Sequence, residues 1–151
     1  MIRSLLIGLV AGTRAMTPLA AVSNAARRGE LPQDNGAPAL LGHPLVAAGT
    51  LALAAGEMAG DKMASAPDRI VPAGLAGRLV TGAVAGAALA PHRQRLAAGA
   101  LGATAAVGSA YLTWRLRMAA MRRFGQGPTG FVEDAATLAA ATAVVRGARR
   151  A

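Results

Sequence analysis

Five apolar runs, rich in alanine, leucine and valine, are separated by short polar segments along this chain. The first covers Met1 to Val22, with Arg14 inside it and Met16-Thr17-Pro18 behind. It predicts a helix broken near Pro18, because proline removes a backbone donor and clashes with the preceding turn. A signal peptide opens in the same way, but Arg14 interrupts the run and apolar residues continue to Val22. Residues 25–38 form a polar loop. Further helices are predicted from Pro44 to Asp61, from Ala73 to Ala90, and from Leu96 past Trp114. Tyr111, Trp114, Arg115 and Arg117 read as the interfacial end of that fourth helix, with basic residues up to Arg123 continuing it along a surface. Gly125-Gln126-Gly127-Pro128-Thr129-Gly130 reads as a break. The last run, Phe131 to Val145, starts with Glu133 and Asp134 and is followed by Arg146, Arg149 and Arg150, a polarity that suits a helix dipole. Its apolar part is shorter than the roughly 20 residues of a membrane span.

Composition turns this pattern toward lipid. Hydrophobic residues make up 54% of the 151 residues and charged ones 15%, while aromatics are only 3% and glycines number 19. A water-soluble core of this size relies on large side chains to bury area. Small residues inside apolar runs suit helices that approach backbone to backbone in a membrane. The pairs Gly8/Gly12, Gly56/Gly60 and Gly82/Gly86 have the spacing of that packing. The expected fold is therefore a single all-α domain, a polytopic membrane bundle of four to five transmembrane helices with a broken first helix. An alanine-rich soluble helical protein is the weaker alternative.

A formal charge of +9 raises nucleic acid as a partner. The arginines are spread over loops and helix ends without interleaved aromatics to stack on bases, so membrane lipid headgroups are the expected contact and nucleic acid is not. With five spans and the N-terminus inside, basic residues divide equally between the two sides, and the positive-inside rule does not orient the chain. The chain has no cysteine, which excludes disulfides, thiolate metal sites and cysteine nucleophiles.

The polar centre is Gly56 to Arg78, which holds three of the seven acidic residues and the single lysine, Lys62. Glu57 and Asp61 are four apart, on one helix face. Asp68, Arg69 and Pro72 follow as a short polar loop. Arg14 and Arg78 lie inside apolar segments, where a charge is costly unless it is paired or reaches water. These residues, with Glu133 and Asp134, are candidates either for binding an anionic group or for ion bridges that fix helix register. Thr17 belongs to the set through a faint echo, Arg-x-x-Thr at Arg14 and again at Arg78. Glu57, Asp61 and Asp134 have the oxygen ligands of a hard-cation site, but the nearby arginines compete for them. His43 and His92 lack ligand spacing, and no nucleophile elbow or phosphate loop is present. No metal, cofactor or catalytic residue is expected.

Three islands carry a family resemblance: AGTRAMTPLA (Ala11 to Ala20), GEMAGDKMASAPDR with GLAGR (Gly56 to Arg78), and VED (Val132 to Asp134). The chain resembles a family of small bacterial integral-membrane proteins of the domain-of-unknown-function 4126 type. The proline usual soon after the lysine is displaced here, with Met63-Ala64-Ser65-Ala66 standing before Pro67. The resemblance implies a multi-pass protein of the bacterial inner membrane and no activity. The function expected from the residues is binding or passage of a small polar solute or ion at Arg14, Thr17, Glu57, Asp61, Lys62, Arg78, Glu133 and Asp134, in a bundle small enough to need a second copy to enclose a pathway. The rival is a structural or accessory membrane protein whose charges only lock the helices, and third comes a membrane-embedded enzyme acting on lipid.

Overall fold

A computed structural model of the chain describes residues 1–63 and 70–148. The expected loop residues Pro67, Asp68 and Arg69, and the terminal Arg149 and Arg150, lie outside them. Six α-helices make up the described fold: α1 (Ile2–Thr13), α2 (Met16–Arg27), α3 (Pro44–Gly60), α4 (Pro72–Ala88), α5 (Arg95–Phe124) and α6 (Gln126–Ala148). Short 3-10 turns at Ala39–Gly42 and His92–Gln94 precede α3 and α5.

The starts of the helices follow from proline. Pro44 and Pro72 open α3 and α4 at positions whose N–H has no intrahelical partner. Pro18 and Pro128 stand third in α2 and α6 and are tolerated for the same reason, because the first turn uses no backbone donor there. The first helix therefore does not break at Pro18. It ends at Arg14, whose extended backbone (φ −137°, ψ 117°) separates α1 from α2. The expected break over residues 125–130 shrinks likewise to Gly125, which takes φ +83°, a left-handed conformation that glycine enters without strain. α6 begins at the next residue, making it 23 residues long, longer than its apolar run.

The chain also reverses at Arg14–Ala15. Gly12 lies beside Ser109 and Gly8 beside Gly102, so α1 runs in the same direction as α5. α4 runs against α5, with Gly82 near Ala106 and Gly86 near Ala98. α2 returns beside α3: its first turn meets Glu57, near the end of α3, and its last turn lies by Gly42, just before α3 begins. α1 and α2 are thus a helical hairpin, each arm about 18 Å long at 1.5 Å per residue. Its tip points to the end of the bundle that carries the α3–α4 and α5–α6 connections. Met1, the loop after α2 and the α4–α5 turn share the opposite end, tied by Gly36 N–H donating to Ala90 O and His92 N–H to Asp34 O.

Small residues set the packing of α1, α4 and α5. A Cβ on Gly8, Gly12, Gly82 or Gly86 would stand within 3 Å of α5 atoms, so two of the three expected glycine pairs are spent on contacts within the chain. Gly56 and Gly60 face open space. Ile7, Val10, Val22, Leu41, Leu89 and Val145 form an apolar core toward the Met1 end. Elsewhere the usual distribution is inverted. Leu45, Leu53, Leu96, Leu116, Phe131 and Val132 point outward, whereas the largest fully buried side chain among the described residues is Arg14. Among the described residues one helical segment, His92–Phe124, is long and apolar enough to cross a membrane.

Candidate functional site: a buried charge network at a helix reversal

The end of α1, the start of α2 and the last turn of α3 meet at one point, where α3 supplies what the reversal lacks. The first backbone donors of α2 have no intrahelical partners. Ala15 N–H donates to Glu57 Oε1 and Met16 N–H to Glu57 Oε2, each at 2.9 Å. A carboxylate there also faces the positive end of the α2 dipole. Glu57 is therefore the cap of a helix whose own preceding residue, Ala15, makes no side-chain cap bond.

Arg14, 1% exposed, is the centre of the network. Its Nη1 stands 2.7 Å from Asp61 Oδ2, at the C-cap of α3, and its Nη2 stands 2.6 Å from Asp134 Oδ1 on α6. Glu133 Oε2 is farther from Nη2, at 3.8 Å. Lys62 pairs with the other oxygen of Asp134, donates to Met58 O at 2.8 Å, and lies 4.7 Å from the Phe131 ring centre. Arg78 approaches from α4: its Nε donates to Gly12 O at 3.1 Å and its Nη1 to Gly74 O at 3.0 Å, with Glu57 Oε1 3.9 Å from Nη2. Arg78 thus satisfies one of the orphan carbonyls at the end of α1 as well as contributing charge.

The eight expected site residues come together, with one difference in role. Thr17 is 2% exposed and its hydroxyl has no hydrogen-bond partner, so it belongs to the site by position and not by a contact. The echo between Arg14 and Arg78 does not extend to structure, since Arg14 ends a helix and Arg78 lies within one. His43 Nδ1 accepts from Leu45 N–H at 3.3 Å, an N-cap of α3, and His92 Nε2 lies 3.0 Å from Arg95 Nη1. No cluster of metal-ligating side chains occurs among the described residues.

Arg117 is the member that the sequence reading placed elsewhere. It is 8% exposed and not interfacial. Its Nη1 is 2.5 Å from both Asp61 Oδ2 and Glu133 Oε2, and its Nη2 donates to the Asp61 carbonyl at 3.0 Å. Gln126, also unexpected, donates to the carbonyls of Asp61 and Met63 at 3.3 and 3.2 Å. The sequence does contain a signal for Arg117: Ala98, Gly102, Ala106, Ser109/Ala110 and Arg117 follow helical spacing and form the buried stripe of α5.

The network holds four cations, Arg14, Lys62, Arg78 and Arg117, and four carboxylates, Glu57, Asp61, Glu133 and Asp134. Its formal charge cancels, which is the condition under which such groups tolerate a low-dielectric surrounding. Asp61 joins the most elements, since its carboxylate and carbonyl together engage Arg14, Arg117 and Gln126. The compensation is not complete atom by atom. Arg14 Nε and Thr17 Oγ1 are both sealed from solvent without a partner, and a buried donor left in that state costs about 1–3 kcal/mol. Comparison of the chain with protein-family models, with curated proteins and with solved structures gave no match.

Proposed function

We propose that this chain is a multi-pass protein of a bacterial inner membrane, in which the α1–α2 hairpin re-enters from one side and α3 to α6 cross. The carrying observation is the inverted distribution of side chains: large apolar residues outward, small and ionised residues inward. Water would disfavour such an exterior by about 25 cal/mol per Å² of apolar surface, whereas lipid does not. α3 and α4, at 17 residues each, lie at the short end of the spanning range. α1, at 12 residues, falls below it, which suits an arm that turns back inside the bundle. The resemblance to the small bacterial membrane family is part of this proposal.

Within that frame the charge network binds or passes a small polar solute or ion. Helix ends directed at a buried charged site are the means by which membrane transporters hold ions and polar groups. Here the orphan donors of Arg14 and Thr17 offer hydrogen bonds that no protein atom accepts. The test is thermal unfolding of the purified protein in a panel of small ions and polar solutes. A ligand at 100 times its Kd stabilises by about 2.7 kcal/mol. The expected result is a solute that raises the melting temperature of the parent and leaves a Thr17→Val variant unmoved. A panel without effect on the parent removes the solute reading.

The exact balance of four cations against four carboxylates favours a second reading, in which the network only locks six helices in register. A neutral pair of replacements, Arg14→Met with Asp61→Asn, separates the two. Under the locking role the double variant folds and still complements a deletion strain; under the solute role it folds and fails to complement.

A further inference from the structure

α5 and α6 are joined at Gly125 but touch little along their length, and the space between them is a groove of about 560 Å³. Its walls are Leu116, Ala120 and Phe124 on α5 and Pro128, Val132 and Ala136 on α6. The α5 residues recur every four positions, so the apolar wall follows about 12 Å of helix axis. Polar groups do reach the groove, but those whose bonds are defined are turned away from it. Thr113 and Thr129 donate back to Ser109 O and Gly125 O, at 2.8 and 2.7 Å, and Arg117 and Glu133 at the floor engage one another. A soluble ligand site needs a few convergent polar groups to fix its occupant. This groove offers apolar walls instead, at a volume within the range of ligand cavities.

The rim has the opposite character. Arg123 is exposed in the last turn of α5, and its guanidinium lies 5.4 Å from the ring centre of Phe124, itself a wall residue. Arg122, two positions from both Ala120 and Phe124, falls on the opposite face of the helix. The described carboxylates are held elsewhere in the fold, apart from Glu133 at the groove floor, which is taken up by Arg117. Glu57, Asp61, Glu133 and Asp134 belong to the buried network. Glu30 and Asp34 sit at the Met1 end, where the Asp34 carbonyl meets His92. A cationic rim above an apolar groove calls for an amphiphile with a negative head.

We infer that the α5–α6 groove is a binding site for an anionic phospholipid of the surrounding membrane, one acyl chain lying between the helices and the phosphate at Arg123. This rests on the membrane reading above and is independent of what the charge network does. A lipid there replaces the missing contact between α5 and α6 and keeps water from the Arg117–Glu133 pair at the groove floor.

The test is native mass spectrometry of the full chain released from detergent, with phosphatidylglycerol and phosphatidylcholine of identical acyl chains added in turn. Phosphatidylglycerol should give one retained adduct in preference to phosphatidylcholine. Val132→Trp, which fills the groove, should abolish it for both lipids, while Leu53→Trp on the exposed face of α3 should leave it intact. Arg123→Gln should lower phosphatidylglycerol occupancy about fivefold, the worth of one basic residue at an anionic surface, and leave phosphatidylcholine unchanged, whereas Arg122→Gln, on the opposite face of α5, should change neither. Should Val132→Trp fail to fold, Ala136→Leu makes a smaller filling of the same space. Equal occupancy of both lipids in the parent, or an adduct indifferent to every groove variant, overturns the site. Such a result in a membrane-integrated protein leaves the membrane reading standing, whereas recovery of the chain in the soluble fraction removes both.

Discussion

Replacing Asp61 by Asn tests the central claim about the network most directly. The substitution keeps the shape of the side chain and its carbonyl oxygen but removes the charge that faces both Arg14 and Arg117. Those guanidiniums are 1% and 8% exposed, so neither reaches water without a change in structure. Breaking a buried pair by removing one partner costs about 3–5 kcal/mol. Two facts put Asp61→Asn at the lower end. Asp61 itself is 15% exposed, and each arginine keeps a second carboxylate, Asp134 for Arg14 and Glu133 for Arg117. A loss of about 3 kcal/mol is expected, or about 6–12 °C in melting temperature for a chain of this size. Arg14→Met should cost less, because Asp61 and Asp134 retain Arg117 and Lys62. The double variant restores neutrality, so its loss should be smaller than the sum of the single losses by about 0.5–3 kcal/mol, the coupling expected of groups in one network. Thermal unfolding in detergent, followed by circular dichroism on all four proteins, gives the cycle. Single variants as stable as the parent, with additive energies, refute obligatory pairing and mean that the charges already reach water.

Glycine contacts give a paired test: a Cβ at Gly12 would stand 1.8 Å from Ser109 Oγ and 2.4 Å from Ala106 O, so Gly12→Leu should not yield a folded protein. Gly108, inside α5 with open space around it, should accept alanine and gain about 0.5–1 kcal/mol in the same melting assay. Ser109→Ala removes the donor to Leu9 O at 2.9 Å and should cost about 1 kcal/mol without loss of fold. In a membrane, reporters fused at the N-terminus and after Glu30 should report one compartment if α1–α2 re-enters, and reporters after Arg123 and after Ala151 should report opposite ones if α6 crosses. Carbonate washing should leave the chain in the membrane pellet; its release would end the bundle reading. Self-association, if it occurs, should use α3, where Gly56 and Gly60 remain open, and Gly56→Leu should then return the mass in mild detergent to that of one chain.

The helices themselves were legible along the chain because their determinants are local. Pro44 marks the start of α3, and apolar runs give the lengths of α3 and α4 to within a residue or two, although Pro72, read as a loop residue, is the first of α4. The site was legible for an energetic reason: Arg14, Glu57, Asp61, Arg78, Glu133 and Asp134 are charges in or beside apolar segments, and such groups must find one another or find water. What only the tertiary structure decided is where the chain turns and which charge meets which. The reversal at Arg14–Ala15 depends on Glu57, 42 residues from Ala15, which caps α2 in place of any residue before it. Arg117 reads as interfacial next to Trp114 and Arg115, yet it is drawn inward because Asp61 and Glu133 meet it on the stripe of α5 that packs against α1 and α4. Pro44 acts locally and can be read in order, whereas Pro18 and Pro128 stand in the first turns of helices where the sequence suggests breaks; the capping of α2 and the burial of Arg117 are satisfied by residues that only the fold brings near.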